Sequence, residues 1–177
     1  MRKLKTIELR RLSVDDFKKA EKLPVVLVVD DIRSMYNIGS IFRTSDAFRV
    51  ENIYICGISG TPPSTEIHKT AIGAEDSVDW KYYKSVIEAV RSLKERGYKV
   101  FSVEQAEGST LLNNFSPTPS CKYALVFGNE VKGVKQEVID LSDGCLEIPQ
   151  FGTKHSINVS VAAGIVIHYM AMALMKK

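Results

Sequence analysis

The sequence lacks the features that define several large classes of protein. Its three cysteines, Cys56, Cys121 and Cys145, are widely spaced and form no CxxC pair, so neither a disulfide framework nor a zinc site is predicted. Unpaired thiols are typical of proteins in the reducing cytosol. The N-terminus also has no apolar run long enough for a signal peptide. We therefore expect a cytoplasmic protein that binds no metal.

Membrane association is not expected either. The most apolar stretch, residues 159–175, approaches the length of a membrane span, but it contains His168, Ser160 and Gly164. We interpret this stretch as a buried C-terminal helix. The whole chain has 177 residues, of which 45% are hydrophobic and 25% are charged, and these values are typical of one globular domain.

Positive charge is concentrated at the N-terminus. The net charge of the chain is only +3, but residues 1–23 carry eight basic and four acidic side chains. The rest of the chain is therefore close to neutral. A basic arm over residues 1–23, with Arg10 and Arg11 at its centre, could follow a phosphate backbone. A solvated surface helix is an equally good interpretation.

Strands and helices are predicted to alternate along the rest of the chain. Apolar runs predict six strands, at residues 25–29, 52–56, 78–83, 98–103, 123–127 and 145–148. Helical spacing predicts a short helix that begins at Ser13 and ends at Pro24, a helix through Ile38 and Phe42, a helix over 85–96 that Gly97 stops, and the C-terminal helix. Residues 109–115 are predicted to form a short helix or turn. This alternation indicates an α/β domain over 24–177, with a mainly parallel sheet covered by helices on both faces.

Three polar loops follow predicted strands, where ligands of parallel sheets bind. They cover residues 30–44, 127–133 and 148–160, and none contains a GxGxxG or GxxxxGK[ST] motif. Most of their residues also have a structural interpretation: Asn37 and Asn158 could cap helices, and Gly39 could allow close approach of a ligand or of backbone. His155 has no recognisable acidic partner, so a hydrolase triad is not favoured.

The order of the three loops is more specific than any one of them. They read N-x-G-x-x-x-R-T from Asn37, F-G-N-E-x-x-G from Phe127, and I-P followed by S-I-N-V-S up to Ser160. Together they resemble the three motifs of the SpoU/TrmH family of RNA ribose 2′-O-methyltransferases, within the SPOUT superfamily. The resemblance covers roughly residues 24–175.

The resemblance implies a fold, a cofactor and an assembly. It implies a SPOUT-type α/β domain with a C-terminal trefoil knot, a homodimer formed through the C-terminal helix, and S-adenosylmethionine as cofactor. The cofactor-binding positions that it implies are Phe127, Gly128, Asn129, Ile148, Gln150, Ser156 and Ile157. The substrate that it implies is tRNA or rRNA, and we lean towards tRNA.

The resemblance also implies a catalytic set and RNA contacts. The catalytic positions are Asn37, Arg43, Glu130, Ser156 and Asn158, and the expected RNA contacts are Arg10, Arg11, Arg33, Arg43 and Lys69. Because a guanidinium stays protonated, we interpret Arg43 as a cation that holds an RNA phosphate and stabilises the developing alkoxide. Asn37 would orient Arg43, and the other three residues would shape the pocket. Lys69 is equally well interpreted as solvated.

One position departs from the family pattern. Val131 stands where many relatives have glycine, in G-x-E-G-x-G, which puts the conformation of that loop in question. The main alternative function is a non-catalytic RNA-binding protein that retains the fold, and a small-molecule methyltransferase is a third.

Overall fold

The computed structural model describes residues 1–175, and its seven strands form one parallel sheet. The strands are β1 (Leu23–Asp30), β2 (Val50–Cys56), β3 (Trp80–Tyr83), β4 (Tyr98–Val103), β5 (Thr110–Leu111), β6 (Lys122–Phe127) and β7 (Gly144–Glu147). Their order in the sheet is β3-β2-β1-β6-β4-β7-β5, and every neighbouring pair is parallel.

Helices cover both faces of the sheet. They are α1 (Val14–Lys19), α2 (Met35–Ala47), α3 (Thr65–Ala71), α4 (Ala74–Ser77), α5 (Val86–Glu95), α6 (Gln136–Leu141) and α7 (Val159–Leu174). The β-branched run of β1 explains the arrangement, because its side chains alternate between the two faces. Val25, Leu27 and Val29 join the core that includes α2, α3 and α7. Val26 and Val28 join the second core, under α5 and α6. The predicted parallel α/β architecture is confirmed.

Most predicted elements are confirmed within one or two residues. Gly97 follows the last residues of α5 with φ +80°, as expected of a glycine that ends a helix. Within residues 109–115, predicted as a short helix or turn, the chain forms β5 and then a 3₁₀ turn over Leu112–Asn114. The strand was not expected because it has only two residues, which is too short to show a pattern.

The prediction for the first helix and strand was wrong at their junction. Helix α1 ends at Lys19, and both Leu23 and Pro24 belong to β1. Leu23 is fully buried, and its N–H donates to the carbonyl of Arg49. Pro24 lies where the register of β1 with β2 is irregular, so the missing N–H of proline is tolerated near the start of the strand.

The N-terminal segment has two different halves. Residues 1–13 are exposed, including Arg10 and Arg11. From Ser13 onward the chain packs on the domain: the Ser13 side chain caps α1, Phe17 is buried in the main core, and the Lys18 ammonium lies 2.9 Å from the Asp79 carboxylate.

No helix in the part of the chain that the structure describes is long and apolar enough to cross a membrane. Since all seven strands are parallel, their carboxyl ends lie at one edge of the sheet. The three polar loops follow β1, β6 and β7, and they therefore converge there.

Candidate active site

A cavity of about 610 Å³ opens beside the carboxyl ends of β4, β6 and β7. All seven predicted cofactor positions line it: Phe127, Gly128, Asn129, Ile148, Gln150, Ser156 and Ile157. Glu130 and Asn158 line it as well, whereas Asn37 and Arg43 lie outside its wall. The wall combines apolar side chains, such as Ile148 and Ala162, with loop backbone. A volume of this size is typical of small-molecule sites.

The loop after β6 is closed by its own backbone and by Asn129. The N–H groups of Asn129 and Gly133 each donate to the other residue's carbonyl, at 3.1 and 2.9 Å. The side-chain oxygen of Asn129 accepts from the N–H groups of Val131 and Lys132, and its amide nitrogen donates to the carbonyl of Asp31 at 2.7 Å. These bonds hold the loop against the end of β1.

The structure also accounts for Val131 in this loop. Gly133 has φ +67°, the left-handed region that favours glycine, whereas Val131 is absent from the residues with positive φ in the part of the chain described. The Val131 side chain is 78% exposed. A glycine is therefore not required at this position, and the departure from the family pattern leaves the loop closed.

Glu130 connects this loop to the start of α2. Its carboxylate accepts from the backbone N–H groups of Arg33 and Ser34, at 3.1 and 3.2 Å, and from the side-chain amide of Asn37 at 3.1 Å. Burial by itself would raise the pKa of Glu130, but these hydrogen bonds outweigh it and hold the pKa below its ordinary value. Glu130 is therefore an ionised acceptor whose lone pairs are engaged.

Asn37 and Asn158 complete a connection between all three polar loops. The amide nitrogen of Asn158 donates to the side-chain oxygen of Asn37 at 3.1 Å. The Asn158 oxygen in turn accepts from the N–H of Ser160 at 2.9 Å and caps α7, as the sequence predicted. A chain of side-chain hydrogen bonds thus runs from Glu130 through Asn37 to Asn158.

Two expectations for the first loop are corrected by these contacts. Ser34, not Asn37, caps α2. The Asn37 amide is engaged by Glu130 and Asn158 and makes no hydrogen bond to Arg43 within residues 1–175, so it does not orient Arg43 here. Arg43 lies six residues further along α2, about 9 Å at about 1.5 Å per residue. Its exposed guanidinium has no side-chain partner among the described residues.

Close packing explains why residue 39, in the same loop, is a glycine. A β-carbon there would lie 2.1 Å from the Thr70 hydroxyl and 2.2 Å from the carbonyl of Ile67. The glycine therefore allows α2 to pack against the backbone of α3. Of the two readings of Gly39, close approach of backbone is the one the structure supports.

The remaining predicted residues are at the surface. Ser156 is exposed on the cavity wall, and Ile157 is partly buried there. Arg33 is exposed beside Glu130, and Lys69 is exposed on α3. Among the described residues there is no group of three or more histidine, cysteine, aspartate or glutamate side chains that could hold a metal ion.

The sequence analysis missed Glu104, which follows β4. One of its carboxylate oxygens accepts from the N–H of Val134 at 2.9 Å, and the other accepts from the N–H of Gln105 at 2.8 Å. A β-carbon on Gly133 would lie 2.1 Å from the Glu104 carboxylate. The glycine therefore leaves the space that this carboxylate occupies. The only signal in the sequence was a carboxylate directly after a strand.

An ion cluster in which only Asp30 is fully buried was missed as well. The Lys135 ammonium lies 2.9 Å from the carboxylate of Asp30 and 2.8 Å from that of Asp31. The hydrogen bond from Lys135 lowers the pKa of Asp31, whereas burial raises the pKa of Asp30 despite the same ammonium. Burial works against the charge of Lys135, but the two carboxylates raise its pKa well above the ordinary value. The cluster ties the end of the cavity loop to the end of β1.

Replacement of Lys135 should loosen this loop. In Lys135→Met the buried Asp30 and the partly exposed Asp31 lose their shared cation. Because the Lys135 side chain is itself 44% exposed, solvent screens part of the interaction, and we expect loss of about 1–2 kcal/mol of folding stability and weaker ligand binding in the cavity. The exposed Lys132 has no side-chain partner among the described residues, so Lys132→Met is the matched control. Urea unfolding of both variants tests this, and equal midpoints would contradict it.

The sequence of this chain is similar to those of known RNA methyltransferases. A family model described as "SpoU rRNA Methylase family" matches residues 24–168. The tRNA (guanosine(18)-2′-O)-methyltransferase of Thermus thermophilus is 29% identical over 163 residues, which are 90% of this chain and 80% of that protein. The 23S rRNA (guanosine-2′-O-)-methyltransferase RlmB of Neisseria meningitidis is 29% identical over 86% of this chain, which spans only 60% of that protein.

Solved structures have the same fold. The TrmH/SpoU tRNA modifying enzyme of A. aeolicus matches with a TM-score of 0.78 and 24% identity, over 90% of this chain and 79% of that one. The AdoMet-bound rRNA methyltransferase of Sinorhizobium meliloti matches with a TM-score of 0.78 and 23% identity, over 89% of this chain and 62% of that one. At these identities the likeness establishes the seven-stranded α/β architecture.

Proposed function

Because this chain belongs to the SpoU rRNA methylase family, we propose that it transfers a methyl group from S-adenosylmethionine to a ribose 2′-hydroxyl of RNA. One observation carries the proposal beyond family membership. The hydrogen-bond chain Glu130–Asn37–Asn158 joins the three polar loops beside the cavity. Hydrogen-bonded polar side chains from three distant segments, two of which line one cavity, favour a functional site over separate helix caps.

The cavity fits this cofactor. Apolar residues such as Ile148 and Ile157 and the backbone of Gly128 line it, and an apolar wall with backbone donors and acceptors suits an adenosine group. S-adenosylmethionine carries no phosphate, which agrees with the lack of a phosphate-binding loop. When bound, the cofactor supplies the electrophilic methyl group. Phe127, Gly128, Asn129, Ile148, Gln150, Ser156 and Ile157 would hold it.

Arg43 acts on the RNA in this proposal. A guanidinium stays protonated near neutral pH, so Arg43 cannot serve as the base. It grips an RNA phosphate and stabilises the negative charge that develops on the 2′-oxygen. The hydroxyl proton passes to the RNA phosphate or to water. The Arg43 guanidinium is exposed and has no side-chain partner among residues 1–175, which supports this role.

Glu130, Asn37 and Asn158 position the reacting groups. Glu130 is ionised, and its oxygens are occupied by N–H donors. It therefore holds the first and second loops together, and proton transfer is not its role. Asn37 and Asn158 extend that support to the third loop, where Ser156 faces the cavity.

The RNA is tRNA or rRNA. Relatives of both kinds match the chain, and the tRNA enzyme of Thermus thermophilus is matched over more of its own length than the rRNA enzyme of Neisseria meningitidis. We favour tRNA, with phosphate contacts from Arg10, Arg11, Arg33, Arg43 and Lys69. A cytoplasmic location belongs to this proposal, and the three free cysteines support it.

We also propose a homodimer and a knot in the C-terminal part of the chain. The strand β7 lies beyond β4 in the sheet, yet α7 returns to pack on α2 and β1. This path of the chain across the sheet supports the trefoil knot.

The dimer proposal rests on the exposed face of α7. A stripe of exposed side chains runs along this helix at spacings of three and four residues and consists of Val161, Ile165, His168 and Met172. Three of these four side chains are apolar, and an exposed stripe of this composition supports a dimer through α7.

A charge in this stripe should separate the two copies. In Ile165→Glu a carboxylate would have to be buried without a partner in the interface, so we expect a monomer mass by light scattering at micromolar concentration. Ile58→Glu is the matched control, because Ile58 is exposed on the loop after β2. A monomeric wild-type protein, with cofactor present, would contradict the dimer.

The alternative, a non-catalytic RNA-binding protein, is separated from an enzyme by two measurements. Calorimetry tests whether the protein binds S-adenosylmethionine, and labelled methyl transfer tests activity on unfractionated tRNA and on rRNA. We expect both cofactor binding and transfer to one pool. Cofactor binding without transfer to either pool would favour the non-catalytic alternative.

A further inference from the structure

Phe151 is an aromatic side chain with no place in the protein core. It is 97% exposed, the highest exposure of any aromatic residue in the part of the chain described. Tyr36 and Tyr82 follow, at about half that exposure. No backbone or side-chain hydrogen bond within residues 1–175 involves positions 151–154. The ring is therefore presented to solvent at the tip of the loop between β7 and α7.

The position of this loop relates Phe151 to the cavity. Gln150 and His155, on the two sides of the tip, both line the cavity, and the carbonyl of His155 accepts from the side chain of Gln105 at 2.6 Å. Consecutive Cα atoms are about 3.8 Å apart, so Phe151 begins one residue from the cavity wall. Stacked nucleotides rise by about 3.4 Å, so a nucleotide next to one in the cavity mouth lies within reach of the ring.

The charges around the mouth favour a nucleic acid as the occupant. Arg33, Lys132 and Lys154 are exposed, and their side chains have no carboxylate partner among the described residues. The two carboxylates on the cavity wall, Glu104 and Glu130, are instead engaged by backbone N–H groups. The rim therefore presents unpaired positive charge beside an exposed aromatic ring, and proteins that bind single-stranded nucleic acid combine these two features.

We propose that Phe151 is a stacking platform for the base next to the target nucleotide, and that the RNA segment recognised is unpaired. This inference rests on the proposed function for the identity of the nucleotide in the cavity. A ring can stack on a base only where the base is free of its own helix, as in loops, bulges and ends. The protein therefore binds the target region as a loop with splayed bases, and a continuous duplex of the same sequence does not reach the cavity.

RNA binding by Phe151 variants tests the inference. The probes are a tRNA transcript and the duplex that this transcript forms with its full complement, with S-adenosylhomocysteine present in both titrations. We expect Phe151→Ala to weaken transcript binding about tenfold, the scale of one lost base–aromatic stack. Phe151→Trp should retain binding, and duplex binding should be equally weak in all variants. Ile58→Ala, which removes an exposed apolar side chain outside the cavity wall, should bind like wild type.

Other results of these experiments would either overturn the inference or separate it from the proposed function. Equal transcript binding by Phe151→Ala and wild type would overturn the inference, as would duplex binding as tight as transcript binding. A monomer mass for Phe151→Ala beside a dimeric wild type would assign the ring to a second copy of the chain, which also overturns it. If wild type transfers no methyl group while Phe151→Ala still loses transcript binding, the proposed function fails and the stacking platform stands.

Discussion

Replacement of Arg43 by alanine should lower methyl transfer by at least about 100-fold, the scale of losing one electrostatic contact to a transition state. Folding and cofactor affinity should be nearly unchanged. Arg43 is exposed on α2, lies outside the cavity wall and has no side-chain partner within residues 1–175. Single-turnover transfer to tRNA, thermal unfolding and calorimetry with S-adenosylmethionine measure the three quantities separately.

Two further variants sharpen this result. Arg43→Lys should restore little activity, because an ammonium group cannot reproduce the planar, two-pronged grip of a guanidinium on phosphate. Arg91 is an exposed arginine on α5, which covers the other face of the sheet, so Arg91→Ala should transfer like wild type. Near wild-type transfer by Arg43→Ala would mean that Arg43 is a surface charge.

Replacement of Gly128 by alanine should instead weaken cofactor binding strongly. The new β-carbon would lie 2.1 Å from the carbonyl oxygen of Gly133 and 2.3 Å from the nitrogen of Val134. Both are backbone atoms, so the loop that forms the cavity wall must move. We expect the dissociation constant for S-adenosylmethionine to rise by about 100-fold or more, the size of losing several contacts of about 1 kcal/mol each.

Gly152→Ala is the matched control for this variant. Gly152 lies in the loop after β7, its φ is not positive, and a β-carbon there would meet no atom within 4 Å. It should bind the cofactor like wild type. Calorimetry of both variants, with circular dichroism to verify folding, is the test. Tight binding by Gly128→Ala would show that the second loop does not hold the cofactor.

The sequence was sufficient to predict the convergence of the three loops. The β-branched run from Val25 to Val29 is typical of a strand buried on both faces, and the alternation of elements indicates a parallel sheet. Loops that follow parallel strands must meet at the carboxyl edge. Short apolar and polar patterns therefore located the cavity before any contact was known.

The partners of individual side chains could not be predicted in the same way. Asn37 and Glu130 are 93 residues apart and meet because β6 lies beside β1 in the sheet, an order that no local pattern encodes. The role of Asn37 in orienting Arg43 was assigned on the resemblance alone, without knowledge of this strand order. Glu104 was missed for the same reason, since its bond to Val134 depends on the pairing of β4 with β6.

Local conformation explains the remaining differences. Val131 was a departure from a family pattern, yet the structure places the positive φ at Gly133 and leaves Val131 exposed. Leu23 has the right spacing for the first helix, but it is buried and pairs with β2, so it belongs to the sheet. In both cases the deciding quantity was a backbone angle or a burial that depends on the whole fold.

The position of the transferred methyl group tests the central claim most directly. The protein is incubated with S-adenosylmethionine that carries a labelled methyl group and with unfractionated tRNA and rRNA, and the RNA is digested to nucleosides. We expect the label in 2′-O-methylnucleosides with wild-type protein, and its loss with Arg43→Ala. Label on a base, or no label in either RNA, would contradict the assignment of this chain as a ribose 2′-O-methyltransferase.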